Sequence, residues 1–360
     1  MMKRESAAIM SPDYAKVSLA SAMSLGLSRG RMYRGAVNRC VNLLVHYEEG
    51  CAANCAYCGL ARKRPGRYLE KSFIHVDWPL FSMDRIIEAI RARPPYVTRA
   101  CISMITNGRC PGHTLEMTRR LRSEADIPVS ILVSPTVLRD GDLSAMKNAG
   151  ADKIGVALDL ATEGLFEKYR GKGVSGPHRW SRYWEILKQG LEVFGPFNVG
   201  AHLMVGMGET EEEMVRLMDR LFHMGAVSHL FSFFAETGSA LAERPQPPWP
   251  VYLRIQLARY VIEERLSSHE EMSFDEEGRI LDFGLASDLL ESVIRLGEPF
   301  MTTGCLGPDG KVACNRPFGN CLPDVRQWNY PYRPNDEETA LILEGLLPGR
   351  EKYLRQGGAG

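Results

Sequence analysis

The chain has 360 residues, enough for one large α/β barrel with appendages or for two ordinary domains. Acidic and basic residues balance at 44 each, so no bulk charge favours nucleic acid or a membrane surface, and partners must be sought in local patches. Met1 to Pro12 has no apolar core of signal-peptide length, and no run approaches the ~18 apolar residues of a membrane span. A cytoplasmic location is therefore expected, and nine cysteines, six of them in two tight groups, fit metal ligation better than a disulfide framework.

In chain order, an amphipathic stretch from Tyr14 to Leu27 suggests a helical extension over residues 1–38. Strand-length apolar runs then follow at Val41–Val45, Ala100–Ile105, Val129–Val133, Lys153–Leu158, Val199–Val205 and His229–Phe234. Weaker runs lie near Met272–Phe274 and Pro299–Thr302. Segments of helical period fall between them, among them Met83–Ala92, Thr114–Arg122, Ser181–Phe194, Glu209–Met224 and Pro250–Arg265. Strand and helix taking turns argue for βα units with parallel strands, and about eight units suggest a (β/α)8 barrel. Reactive groups of such barrels sit on loops at the carboxyl ends of the strands. The polar, glycine-rich end, Arg350 to Gly360, is expected to fray.

Directly after the first strand comes Cys51-Ala-Ala-Asn-Cys55-Ala-Tyr57-Cys58. Three thiolates on one short loop can hold three irons of a 4Fe-4S cube and leave the fourth open, whereas a purely electron-carrying cluster usually has four cysteine ligands. A structural zinc site generally completes four ligands from a second cysteine pair or a histidine, and neither follows here. This loop and the strand before it resemble the radical S-adenosylmethionine (SAM) superfamily. The resemblance implies a TIM-type barrel, closed or partly open, over residues 39–303. It implies that the open iron of the Cys51, Cys55 and Cys58 cluster chelates SAM, and that one electron cleaves SAM to a deoxyadenosyl radical. The electron donor would be a ferredoxin or flavodoxin.

The resemblance is strongest to the biotin-synthase-like branch. There Tyr57 matches an aromatic beside the adenine, and Asp159, in Ala157-Leu-Asp159, matches the carboxylate that binds the SAM ribose. Ala157 departs from the family's asparagine. Gly206, in His202-Leu-Met-Val-Gly206, resembles the glycine that borders the adenine, where backbone must approach a planar ligand. Phe233 to Ser239 looks like the branch's Gly-Thr-Pro-Leu region. The family's Gly-Gly-Glu segment is not evident, and Thr106-Asn107-Gly108 stands in its place, with Asn107 offering a polar contact. His202 reads as a satisfied core histidine.

A second cysteine group lies in residues 304–360, with Cys305, Cys314 and Cys321 on glycine- and proline-rich loops. The expectation is an auxiliary 4Fe-4S cluster over the barrel mouth, with Cys40, a serine or a substrate as its fourth ligand. Buried thiols packing as small hydrophobes are the plainer alternative. Cys101 falls where biotin synthases hold an intrabarrel cluster, but that set is not intact, since Ser130 stands near the third-strand position. The element Cys314-Asn315-Arg316-Pro317 resembles the tail of a group of two-protein lipoyl synthases. That likeness implies sulfur insertion into an octanoyl chain on lysine of a lipoyl-carrier protein, acting with a paralogous radical SAM partner. Arg316 would anchor the SAM carboxylate or the carrier. The competing functions are a biotin-synthase-like or methylornithine-synthase-like enzyme on a small free molecule, and a non-catalytic cluster scaffold.

Overall fold

The computed structural model describes residues 9–319 and 321–346, and the glycine-rich end 350–360 lies outside them. Six parallel strands form the frame: β2 (Cys40–Val45), β4 (Arg99–Ser103), β5 (Val129–Val133), β6 (Ala151–Asp159), β7 (Val199–Val205) and β8 (Val227–Ser232), hydrogen-bonded in that order. They agree with the six strong apolar runs of the sequence. Two short strands, β1 (Tyr14–Val17) and β3 (Leu80–Ser82), extend the sheet beyond β2, with β1 antiparallel to both neighbours. The sheet thus has eight strands and is not closed by hydrogen bonds between its first and last members.

The helices α3 (Cys110–Ala125), α4 (Asp142–Asn148), α5 (Glu163–Tyr169), α6 (Trp180–Phe194), α7 (Glu211–His223) and α8 (Trp249–Glu263) follow the frame strands β4 to β8, while α1 (Leu19–Ser24) follows β1 and α2 (Met83–Arg91) follows β3. The stretch Tyr14–Leu27 is therefore half strand, because Tyr14–Val17 pairs with β2 on one side and β3 on the other. Strands covered on both faces read as continuous apolar runs, which is why periodicity found them. Val41, Leu43 and Val45 are buried, while the alternate Asn42 and Leu44 of β2, with Cys101 and Ser103 of β4, line an interior cavity.

The two weak runs do not become seventh and eighth strands of the frame. Ser273–Phe274 (β9) pairs with Ile280–Asp282 (β10) as a separate hairpin. Glu298–Phe300 is a turn of 3-10 helix after α9 (Ser287–Leu296), and only Met301 makes a bridge, to Tyr330. Neither run joins the eight-stranded sheet, which ends at β8. The free side of β8 is instead met by Thr303, whose Oγ1 accepts from Leu230 N at 3.0 Å. A final helix, α10 (Asp336–Leu346), packs against α8 and α9.

Helix α7 starts on a capping box: Thr210 Oγ1 accepts from Glu213 N at 3.1 Å, and Glu213 Oε2 accepts from Thr210 N at 2.9 Å. Replacing Thr210 with Ala leaves an amide at the helix start without its side-chain acceptor and should cost about 1 kcal/mol. Denaturant titration of the two proteins checks this as a lower midpoint at unchanged slope.

Candidate active site

The loop after β2 carries Cys51, Cys55 and Cys58 into the carboxyl end of the frame and is pinned by backbone bonds from three sides. Ala52 N donates to Thr106 O and Ala56 N to Tyr169 O, each at 2.8 Å, while Leu241 N donates to Ala56 O at 3.2 Å. Gly59 follows the last cysteine where a Cβ would sit 2.2 Å from Ser72 O, so no other residue fits that approach. Leu60 N points at Cys58 Sγ at 3.4 Å. Burial pushes the Cys55 thiol up to about 12 and Cys58 well above its ordinary value. Metal binding displaces such protons, so these thiols are suited to be ligands and poorly suited to be free nucleophiles.

All three cysteines line one cavity of about 230 Å³, with Tyr57, Asp159, Arg170, His202 and Glu236. Among the described residues, no group of three His, Cys, Asp or Glu could hold a single metal ion. The cysteines of a cube each bind a different iron and are spread more widely than ligands of one ion. Soft thiolates on a glycine-flanked loop fit an iron–sulfur cluster, and the buried Arg170 Nε, without a partner, leaves a donor beside the cavity.

Asp159 ends β6 with φ 65°, a left-handed turn that sets its carboxylate against the cluster loop. Tyr57 Oη donates to Asp159 Oδ2 at 2.6 Å, and Arg170 pairs with the same oxygen. Arg170 also donates to Ala157 O and, at 2.9 Å, to Tyr183 Oη, with its guanidinium 4.7 Å from the Tyr183 ring centre. Tyr183 Oη lies 3.0 Å from His178 Nδ1, which is 2.6 Å from Thr136 Oγ1. Burial, aided by the Arg170 charge, drives His178 down to about 2, so it is neutral. Tyr57, Asp159 and the buried Arg170 thus form one hydrogen-bonded group at the cavity wall. Asp159 carried a sequence signal, whereas Arg170 and His178 carried none, since single residues on loops have no period or spacing.

Across the cavity, Glu236 accepts from Ser72 Oγ at 2.7 Å and from His75 N at 2.8 Å, tying the turn after β8 to the chain beyond the cluster loop. Two predicted contacts do not reach the cavity wall. Asn107 Nδ2 donates to Glu49 Oε1 at 2.8 Å and its Oδ1 accepts from Arg109 N, so it braces the loop from outside. Gly206, with φ 104°, faces Pro247, which would stand 2.8 Å from an added Cβ. Its amide donates to Glu209 Oε1 at 2.6 Å. The glycine serves a close approach of protein to protein, and Met204 and His202 of the same strand are what line the cavity.

The tail cysteines separate. Cys305 and Cys314 are joined by a backbone bond, Cys314 N to Cys305 O at 3.2 Å, and their segment packs under the amino ends of β2 and β4. Arg99 Nε donates to Leu306 O at 2.9 Å, Arg39 N to Asn315 Oδ1 at 3.0 Å, and Asn315 Nδ2 to Val37 O at 2.7 Å. This corrects the expectation of a cluster over the mouth, because the segment enters from the opposite end. Cys321 is elsewhere: its thiol donates to Gln327 Oε1 at 3.2 Å. Arg316 does line the cavity, with its guanidinium 4.1 Å from the Phe231 ring centre and Nη2 donating to Thr303 O at 2.9 Å.

Residues 47–221 match the radical SAM superfamily. A biotin synthase of Magnetococcus marinus is 26% identical over 227 residues, covering 61% of this chain and 65% of that protein. A biotin synthase of Bordetella pertussis is 25% identical over 263 residues, covering 71% and 72%. The chain therefore spans a little under two thirds of the first relative. Among solved structures, methylornithine synthase superposes with a TM-score of 0.48 at 12% identity over 64% of each chain.

Proposed function

We propose that this chain, a radical SAM enzyme of the biotin-synthase-like branch, inserts sulfur into the octanoyl chain of octanoyl-lysine on a lipoyl-carrier protein. It would act with a paralogous radical SAM partner and take electrons from a ferredoxin or flavodoxin. The observation that carries this reading is that Cys314, Arg316 and Pro317 line the same cavity as Cys51, Cys55 and Cys58. The tail element and the cluster loop thus face one reaction space from opposite ends.

Unactivated methylene carbons cannot be attacked by a side-chain base or nucleophile, so the hard step belongs to a cofactor. A 4Fe-4S cube with SAM supplies the hydrogen-abstracting radical, and an auxiliary cluster in the tail supplies sulfur. The chain's own residues hold and enclose. Cys51, Cys55 and Cys58 ligate; Asp159, oriented by Tyr57 and Arg170, offers a carboxylate for the ribose hydroxyls. Phe73, Ile74, Trp78, Leu132, Phe233 and Phe234 give the cavity an apolar wall suited to an acyl chain.

The test is to incubate reconstituted protein with SAM, reductant and an octanoyl-lysyl peptide and to weigh the products. A monothiolated peptide is expected, with the partner completing the second insertion. SAM cleavage without thiolated peptide, together with efficient turnover of dethiobiotin or free lysine, would replace this reading with that of a small-molecule enzyme.

A further inference from the structure

The inward face of the frame is unusually polar at its amino end. Alternation from the cavity-lining Asn42, Leu132, Ala157 and Phe231 places Cys40, Ser130, Lys153 and His229 on the same face, nearer the amino ends of their strands. A barrel interior is ordinarily filled there by branched apolar side chains. Cys305 and Cys314 enter this layer from the tail segment. Cys314 receives Asn42 Nδ2 at 3.5 Å and Arg316 Nη1 at 3.7 Å on its sulfur.

Arg39 N, next to Cys40, donates to Asn315 Oδ1, next to Cys314, at 3.0 Å, and Cys101 lines the cavity together with Cys314. Cys101 stands in register between Asn42 of β2 and Ser130 of β5, and Cys305 is tied to Cys314 by their backbone bond. None of the four cysteines is in a disulfide. Thiols from β2, β4 and the tail segment therefore gather in this layer, with the Arg316 guanidinium beside Cys314 to offset the charge of a buried thiolate. Two further observations point to an occupant. Arg316 Nε and both ring nitrogens of His229 are buried without a hydrogen-bond partner, although such groups are ordinarily satisfied.

We propose that Cys40, Cys101, Cys305 and Cys314 are the four ligands of a second iron–sulfur cluster at the amino end of the barrel, and that Cys321 is not a ligand. This deepens the function proposed above by naming where its sulfur source is held. A zinc ion would need the thiols gathered around one centre, and among the described residues no three such groups are so gathered. A cluster, which takes one thiolate per iron corner, accepts the wider spacing. Cys321, bonded to Gln327 Oε1, has a structural role in the turn ahead of Tyr330.

The test uses the full-length chain with Cys51, Cys55 and Cys58 changed to Ala, reconstituted anaerobically with iron and sulfide. It should keep about half the wild-type iron and acid-labile sulfide, with the visible and Mössbauer signature of a cluster. Adding Cys101→Ala and Cys314→Ala should remove most of that iron, while adding Cys321→Ser should remove none. The single change Cys40→Ser, conservative enough to preserve the fold, should shift the cluster spectrum. Iron lost with Cys321→Ser but retained without Cys101 and Cys314, an unshifted spectrum in Cys40→Ser, or zinc bound in place of iron would overturn the proposal. None of these readouts uses octanoyl-lysine. A cluster found on these residues with no thiolated peptide would therefore refute only the substrate assignment.

Discussion

Reductive cleavage of SAM should fall to background when Cys51, Cys55 and Cys58 are all changed to Ala. The cluster loop is held independently of its thiols by the bonds of Ala52, Ala56 and Leu241, so the substitutions remove ligands without releasing the loop. Of the three thiols only Cys55 is buried, so the substitutions remove little of the packing of this region. A folded protein unable to hold its open-iron cluster is the expected product. Deoxyadenosine formed per chain under reducing conditions is the measurement, with circular dichroism to verify the fold. Wild-type cleavage in the triple variant would place the SAM chemistry elsewhere.

A comparably large effect, on stability rather than turnover, is expected at Arg170. The side chain is buried and holds together Asp159, Tyr57, Tyr183 and the Ala157 carbonyl. Arg170→Met keeps much of the volume but leaves the half-buried Asp159 carboxylate without its counter-charge and Tyr183 and the Ala157 carbonyl without their donor, a loss of about 1–3 kcal/mol. Arg170→Lys should not rescue it, because a point charge cannot reproduce a planar fork that serves four groups at once. Thermal or denaturant unfolding of the cluster-free protein would show the loss. SAM affinity should fall as well, because Asp159 and Tyr57 lose the group that orients them. A midpoint within experimental error of wild type would mean that Arg170 does not hold the site together.

The frame of the fold was legible because strands buried on both faces leave unbroken apolar runs, as at Val129–Val133 and Val199–Val205. The weak runs at Met272–Phe274 and Pro299–Thr302 had the composition of strands but found their partners outside the frame, in Ile280–Asp282 and Tyr330, and pairing is a long-range property. Tyr14–Val17 shows the converse: four residues with a helical look were drawn into a sheet by two partners. In the site, Cys51, Cys55 and Cys58 were legible from spacing and position after a strand, and Asp159 from its likeness to the family's ribose-binding position. Gly206 was legible as a glycine that must be one, but its close neighbour is Pro247, a contact 41 residues away in sequence. Arg170 had no local signature, and of the two strand cysteines only Cys40 was read as a partner of the tail thiols. Which end of the barrel a tail enters is decided by contacts such as Arg99 with Leu306, and no sequence period records them.

The most direct measurement of the central claim is the fate of labelled sulfur. The auxiliary cluster would be reconstituted with isotopically heavy sulfide, the excess removed, and the protein turned over with SAM, reductant and an octanoyl-lysyl peptide. The account predicts a monothiolated peptide carrying the heavy isotope, in an amount not exceeding the cluster supplied. A thiolated product carrying only light sulfur, or heavy sulfide left wholly on the protein while SAM is consumed, would contradict it.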